Sequence, residues 1–151
     1  MGQKKATYIP EDSSPLQEKF ISMVMERGKK SIARRIFSDA MNILKEKGKN
    51  KPEELFLKAI ETVKPQMEIR AKRVGGSVYQ IPVEVNAKRQ LTLSMRWIIS
   101  SARSKKGQPM AQKLANELTD ASNSTGAAYK KKEDVERMAA ANKAFAHFAK
   151  Y

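Results

Sequence analysis

The run Arg70-Ala71-Lys72-Arg73-Val74-Gly75-Gly76-Ser77-Val78-Tyr79-Gln80-Ile81-Pro82-Val83-Glu84-Val85 alternates apolar and polar residues on both sides of a glycine pair. Met67, Ile69 and Ala71 share one face of the first arm, and Tyr79, Ile81, Val83 and Val85 share one face of the second. Period-two alternation is the mark of a strand. Gly75-Gly76 supplies two turn residues that take positive φ without steric cost, so the stretch reads as a β-hairpin at about 66–85. Pro82 has no N–H donor and fits a strand edge, which limits the sheet to two strands. An isolated two-stranded ribbon is marginal in water, so helices beside it or a partner must support it. Arg70, Lys72 and Arg73 make the arm leading to the tip strongly positive.

Around the hairpin the pattern is helical. Ser14-Pro15 is a helix start, because Ser caps free N–H groups and Pro is tolerated at the first helical position. Leu16, Phe20, Ile21 and Val24 form its apolar stripe, which ends by Gly28. Lys29-Lys30 lies in the loop that follows. A second helix is expected from about Ser31 to Lys47, with Ile32, Ile36, Ala40, Ile43 and Leu44 inward and Gly48 as its stop. Pro52-Glu53-Glu54 opens a third, with acids at the positive dipole end. Asn86 caps a long fourth helix reaching about Ser104, and Pro109 starts a fifth. Asn123-Ser124-Thr125-Gly126 reads as a turn, and Lys130-Lys131-Lys132 precedes a sixth helix from about Glu133 to Ala149. The expected fold is mainly α: a bundle of about six helices with one protruding two-stranded hairpin. Residues 1–14 form a basic arm and 15–151 a single helical domain.

Lys and Arg number 30 against 16 Asp and Glu, a formal net charge of +14. A small basic domain repels itself when compact, and a polyanion relieves that repulsion. The chain has no cysteine, which excludes disulfides and thiolate metal sites. His147 is its only histidine, so no metal centre or other cofactor is expected and the ring is read as structural. The sequence has no apolar run of the roughly 18 residues that a membrane span needs, and no signal-peptide core follows Met1. A cytoplasmic or organelle-made protein is therefore expected.

The fourth helix separates two sectors at ~100° per residue. Leu91, Met95, Ile98 and Ala102 fall in one; Arg89, Arg96 and Arg103, spaced by seven, fall in another. One sector packs inward and the other presents guanidinium groups, whose planar donor forks match phosphate oxygens. Trp97 and Tyr79, beside apolar stripes, are read as core. Basic clusters in separate segments together predict a multi-point phosphate clamp.

Three stretches closely resemble small-subunit ribosomal protein seven of the bacterial and organellar type. They are Arg73 through Val85, Leu114-Ala115-Asn116-Glu117-Leu118, and Lys131-Lys132-Glu133-Asp134-Val135 with Arg137 through Ala139 and Ala141 through His147. Lys29-Lys30-Ser31 and Met95-Arg96-Trp97 fit the same pattern. The resemblance implies a helical bundle with a protruding hairpin that binds the 3′ major domain of small-subunit rRNA early in head assembly. It implies a hairpin near exit-site tRNA and the mRNA exit path, a last helix facing ribosomal protein eleven, and protein nine as another neighbour. It also implies a place in the ribosome, cytoplasmic or organellar. Carried over by position, the rRNA-contact residues are Lys4, Lys5, Lys29, Lys30, Arg70, Lys72, Arg73, Arg89, Arg96, Arg103, Lys130, Lys131 and Lys132. Val74, Gly75, Gly76 and Ser77 form the tip near tRNA and mRNA. The chain departs from the pattern in a short N-terminal arm, in the tail His147-Phe148-Ala149-Lys150-Tyr151, and at Ala140, a position commonly acidic.

Two other function classes compete. An architectural nucleic-acid-binding protein outside the ribosome shares the basic helical character, but there is no helix-turn-helix or zinc signature. An RNA-directed enzyme needs a nucleophile and base, and no such pair stands out. Val74-Gly75-Gly76-Ser77 is followed by a strand rather than a helix, so it is no phosphate loop.

Overall fold

The computed structural model describes residues 8–150. Helices α1 (Pro15–Val24), α2 (Lys30–Glu46) and α3 (Pro52–Val63) lead into strands β1 (Met67–Val74) and β2 (Ser77–Glu84). Helices α4 (Ala87–Ser104), α5 (Met110–Ser122) and α6 (Gly126–Ala141) follow, and a 3-10 helix spans Lys143–Lys150. The architecture is the mainly α bundle with a single two-stranded hairpin. Lys4 and Lys5 lie outside the described residues.

Local signals set several boundaries. Ser14 accepts a hydrogen bond from the Gln17 amide at 3.2 Å, and Asn86 accepts one from the Arg89 amide at 2.9 Å. Each cap satisfies an N–H that a helix start leaves without an intrahelical acceptor. Gly75 and Gly76 take φ of +58° and +84°, and the strands close around them with Val74 opposite Ser77. The register pairs Ile69 with Pro82 and Lys72 with Tyr79. The apolar residues of the two arms therefore lie on opposite faces of the ribbon, so the bundle and the C-terminal segment must cover both faces. Pro82 is buried.

The core begins where α1, α2 and α3 meet. Phe20, Phe37 and Phe56 are buried there, with ring centroids 5.0 to 5.8 Å apart and steep interplanar angles. Edge-to-face pairs add roughly 0.5–1.5 kcal/mol each beyond area burial. Met95, Ile98 and Ala102 of α4, with Leu114 and Leu118 of α5, extend this core without a break.

Three expectations change. The inward stripe of α2 is Ala33, Phe37, Ala40 and Leu44; Ile32 is 46% exposed, and Ile36 and Ile43 are only half-buried. The stripe sits about one residue round from the isoleucines, because Phe37 fills the aromatic cluster. The last α-helix starts at Gly126 rather than near Glu133, so Lys130 to Lys132 lie within α6 and not in a preceding loop. Its start is capped from a distance: the buried Glu117 carboxylate of α5 accepts the Ala128 amide at 2.9 Å. Finally, α6 stops at Ala141 and does not run to Ala149. Asn142 donates from its side chain to the Met138 carbonyl at 2.8 Å, and the chain tightens into the 3-10 helix.

Candidate nucleic-acid interface

A buried glutamate holds α1 against α2. Glu18 is 4% exposed and receives both arms of the Arg34 guanidinium, one at 2.9 Å, together with the Ser13 hydroxyl at 2.8 Å. The Arg34 hydrogen bonds, opposed by burial and assisted by Ser13, hold the Glu18 carboxyl down to about 2. Lys30 Nζ lies 3.8 Å from the same carboxylate. This anchor fixes the loop between α1 and α2, where Arg27 and Gly28 both take left-handed backbone (φ +54° and +75°) and Lys29 is exposed.

A second buried glutamate seats the hairpin. Glu68, 7% exposed, binds Arg70 at 3.1 Å within β1 and Arg89 of α4 at 3.5 Å. Arg89 is thereby half-buried rather than wholly turned to solvent. Along α4, Lys19 of α1 donates to Thr92 at 3.1 Å, and Arg103 donates to the Val24 carbonyl at 2.8 Å. These contacts lay α1 beside α4 and string cations along the seam. Arg70 and Arg89 meet Glu68 at the hairpin base, Lys19 meets Thr92 midway along α4, and Arg103 and Lys29 edge one cleft at the far end. Arg96 is exposed between buried Met95 and Trp97 and has no side-chain partner among the described residues.

At that far end Val24, Ile32, Ala33, Ile36 and Met110 line an open cleft of about 370 Å³, edged by Lys29, Arg103 and Glu26. Glu26 lies 3.5 Å from Arg103 Nε, so the carboxylate at the rim already has a cation. The exposure of Ile32, unexplained within the bundle, belongs to this cleft.

The structure thus brings Arg70 and Arg89 together at Glu68, and Lys29 and Arg103 together at the cleft, while Lys30 lies at Glu18 and Arg96 stands exposed on α4 between Arg89 and Arg103. Lys72 and Arg73 extend the same basic character along β1, although Lys72 is half-buried and donates to the Phe148 carbonyl at 3.1 Å. Lys130 to Lys132 stand apart on α6; the first two are exposed, and Lys132 Nζ lies 5.2 Å from the Tyr129 ring centre. Trp97 is core, as its neighbours on the helix imply, whereas Tyr79 is half-buried outside the core and packs on the C-terminal 3-10 helix. Lys19 and the Ile32–Met110 cleft escape a sequence reading. Lys19 is a single cation beside the α1 stripe, and the cleft joins residues far apart in the chain. Among the described residues no group of three metal-ligating side chains converges, and no helix is long and apolar enough to cross a membrane.

A family model described as ribosomal protein S7p/S5e matches residues 2–143. The chain belongs to the ribosomal protein S7p/S5e family. It is 54% identical over 139 residues to the small ribosomal subunit protein uS7 of Nautilia profundicola, covering 92% of this chain and 90% of that one. Against the uS7 proteins of Thermosipho melanesiensis and Chloroflexus aggregans the identities are 56% over 133 residues and 51% over 145. Those matches cover 88% and 94% of this chain, and 86% and 92% of the relatives. Members of the family are ribosomal structural proteins and not enzymes.

Proposed function

We propose that this chain, a structural constituent of the small ribosomal subunit, binds the 3′ major domain of its rRNA and nucleates assembly of the head. The observation that carries the reading is the line of cations from the hairpin base, along the α1–α4 seam, to the Lys29–Arg103 cleft. Folded RNA presents phosphates on a curved surface, and a line of separately anchored cations can meet several at once.

The cations divide by their partners. Lys29, Arg73, Arg96, Lys130 and Lys131 are exposed and have no side-chain partner among the described residues. They are the primary phosphate contacts, together with Lys4 and Lys5 of the arm. Arg103, Lys72 and Lys132 contribute donors that their present partners leave over. Lys30, Arg70 and Arg89 border the same surface while bound to buried carboxylates. The apolar cleft beside Lys29 and Arg103 suits an unstacked base, since RNA readout favours bases splayed out of the helix. In this reading the slim tip Val74-Gly75-Gly76-Ser77 reaches exit-site tRNA and the mRNA exit path. The α6 side faces ribosomal protein eleven, and protein nine is a further neighbour.

The test is a salt titration of binding to the 3′ major domain, an unrelated folded RNA and duplex DNA of similar length. The expected outcome is a steep salt slope for all three, with the rRNA domain bound at least ~100-fold more tightly, because the electrostatic term is common to them. Equal affinities would refute the ribosomal reading and leave an architectural nucleic-acid-binding protein.

A further inference from the structure

Burial along the hairpin falls with distance from the bundle. Glu68, Ile81 and Pro82 at the base are buried, while Ala71, Arg73, Gly75 through Val78 and Gln80 are exposed. On one face burial persists further out, where Lys72, Val74 and Tyr79 are half-buried. Lys72 and Tyr79 are cross-strand partners, so their side chains share one face of the ribbon. Both touch the same residue of the C-terminal 3-10 helix. The Tyr79 ring stacks on Phe148 at 4.8 Å and 25°, and Lys72 Nζ donates to the Phe148 carbonyl at 3.1 Å. Phe145 meets Tyr79 at 5.3 Å, and the His147 ring lies 4.0 Å from Phe148.

The geometry of the tail explains the grip. In a 3-10 helix residues i and i+3 eclipse, so Phe145 and Phe148 project from one edge. Their rings lie nearly parallel, at 22°, with centroids 6.3 Å apart. In an α-helix the same pair would diverge by about 60° around the axis. The break at Asn142 therefore does more than end α6: it converts the tail into a two-ring edge against Tyr79.

We propose that Tyr79, Phe145 and Phe148 are positioning residues, and that the C-terminal 3-10 helix is a strut holding the outer half of the hairpin at one angle to the bundle. The strut follows from the contacts alone. Its consequence, that it fixes where Arg73 and the tip meet RNA, rests on the proposed function. A two-stranded ribbon has little rigidity of its own, and in its outer half the face opposite the tail, Ala71, Arg73, Val78 and Gln80, is exposed. The aromatic edge supplies the missing third layer.

Hydrogen exchange on the full chain tests the strut, with Tyr79→Ala and Phe148→Ala set against Tyr79→Phe and Phe148→Tyr. Amides of residues 70–80 should exchange about two- to tenfold faster in the alanine variants, with α1 to α5 unchanged. The conservative variants should restore protection. Unchanged hairpin exchange, or equal acceleration through α1 to α5, would overturn the strut. The chain lacks cysteine, so Ser77→Cys gives one attachment point for a hydroxyl-radical probe at the tip. On the bound 3′ major domain, cleavage should be confined in the parent and spread over more nucleotides with Phe148→Ala. Unchanged cleavage from a loosened hairpin would overturn the positioning role. Failure of the parent to bind the RNA would instead overturn the proposed function, with the exchange result still deciding the strut.

Discussion

Removing the Glu117 carboxylate should unseat the start of α6. Glu117 is fully buried on α5, Oε1 accepts the Ala128 amide at 2.9 Å, and Oε2 lies 2.9 Å from Lys105 Nζ. The second contact is an ion pair without hydrogen-bond alignment. Gly126, at φ +89°, packs so closely that a Cβ there would lie 2.8 Å from Asp120 Cβ. The helix start has little room to find another cap. In Glu117→Ala the Ala128 amide stays buried without its acceptor, which costs about 1–3 kcal/mol. The void left by the side chain adds to this, while Lys105, whose side chain is 35% exposed, returns to water at small cost. The total should be about 2–4 kcal/mol. Glu117→Gln keeps the size and the acceptor and loses only the ion pair with a half-exposed lysine, so it should cost about 1 kcal/mol. Urea unfolding followed by circular dichroism measures both. Losses equal in the two variants, or a loss below ~1 kcal/mol in Glu117→Ala, would refute the capping role.

Arg96→Ala should leave stability within about 0.5 kcal/mol, weaken rRNA binding by about 1 kcal/mol, and lower the salt slope by about one. Arg103→Ala should weaken binding similarly but also cost about 1 kcal/mol of stability, because it deletes the bond to the Val24 carbonyl; indistinguishable unfolding midpoints would contradict the structural half of that difference. Glu18 gives a pH signature. Its folded carboxyl sits near 2 against an ordinary 4.5, so its contribution is complete above about pH 5 and is lost as pH falls toward 2. The contribution is at most about 3 kcal/mol. Stability curves for Arg34→Met should lose most of this acid-side slope between pH 5 and 2, and a slope as steep as that of the parent would count against the pair.

What the sequence reveals here is what short-range chemistry decides. The hairpin follows from alternation and two glycines, and the starts of α1 and α4 follow from Ser14 and Asn86 capping their own helices. The start of α6 is hidden because its cap, Glu117, comes from another helix. The α2 stripe is displaced because Phe37 joins an aromatic cluster assembled from three helices, and hydropathy alone ranks the isoleucines above it. The break at Asn142 is hidden because helix formers flank it on both sides. The tail turns toward an aromatic ring sixty-odd positions earlier in the chain, at Tyr79. For the candidate interface, the heptad spacing places Arg89, Arg96 and Arg103 on one sector of α4. It says nothing about which member finds a partner: Arg89 is half-buried on Glu68, Arg103 is tied to Val24 and Glu26, and Arg96 is exposed.

Those partners decide what each cation can do. Glu18, Glu68 and Glu117 are all buried, and each holds at least one cation at a junction: α1 with α2, the hairpin with α4, and α5 with the segment that follows α4. A buried carboxylate that loses its cation is left uncompensated, which can cost 3–5 kcal/mol when the pair is fully desolvated. A phosphate that recruited Arg89 would have to offset part of that loss, whereas one that recruited Arg96 would not. Arg89→Met should therefore act mainly on the fold. The exposure of Arg89 reduces the cost to about 1–2 kcal/mol, with faster amide exchange at the hairpin base and the salt slope of rRNA binding unchanged. A slope that falls by one, as in Arg96→Ala, would show that Arg89 leaves Glu68 for phosphate. The basic surface would then be a single exchangeable layer, and the buried acids would not sort its cations into anchors and contacts.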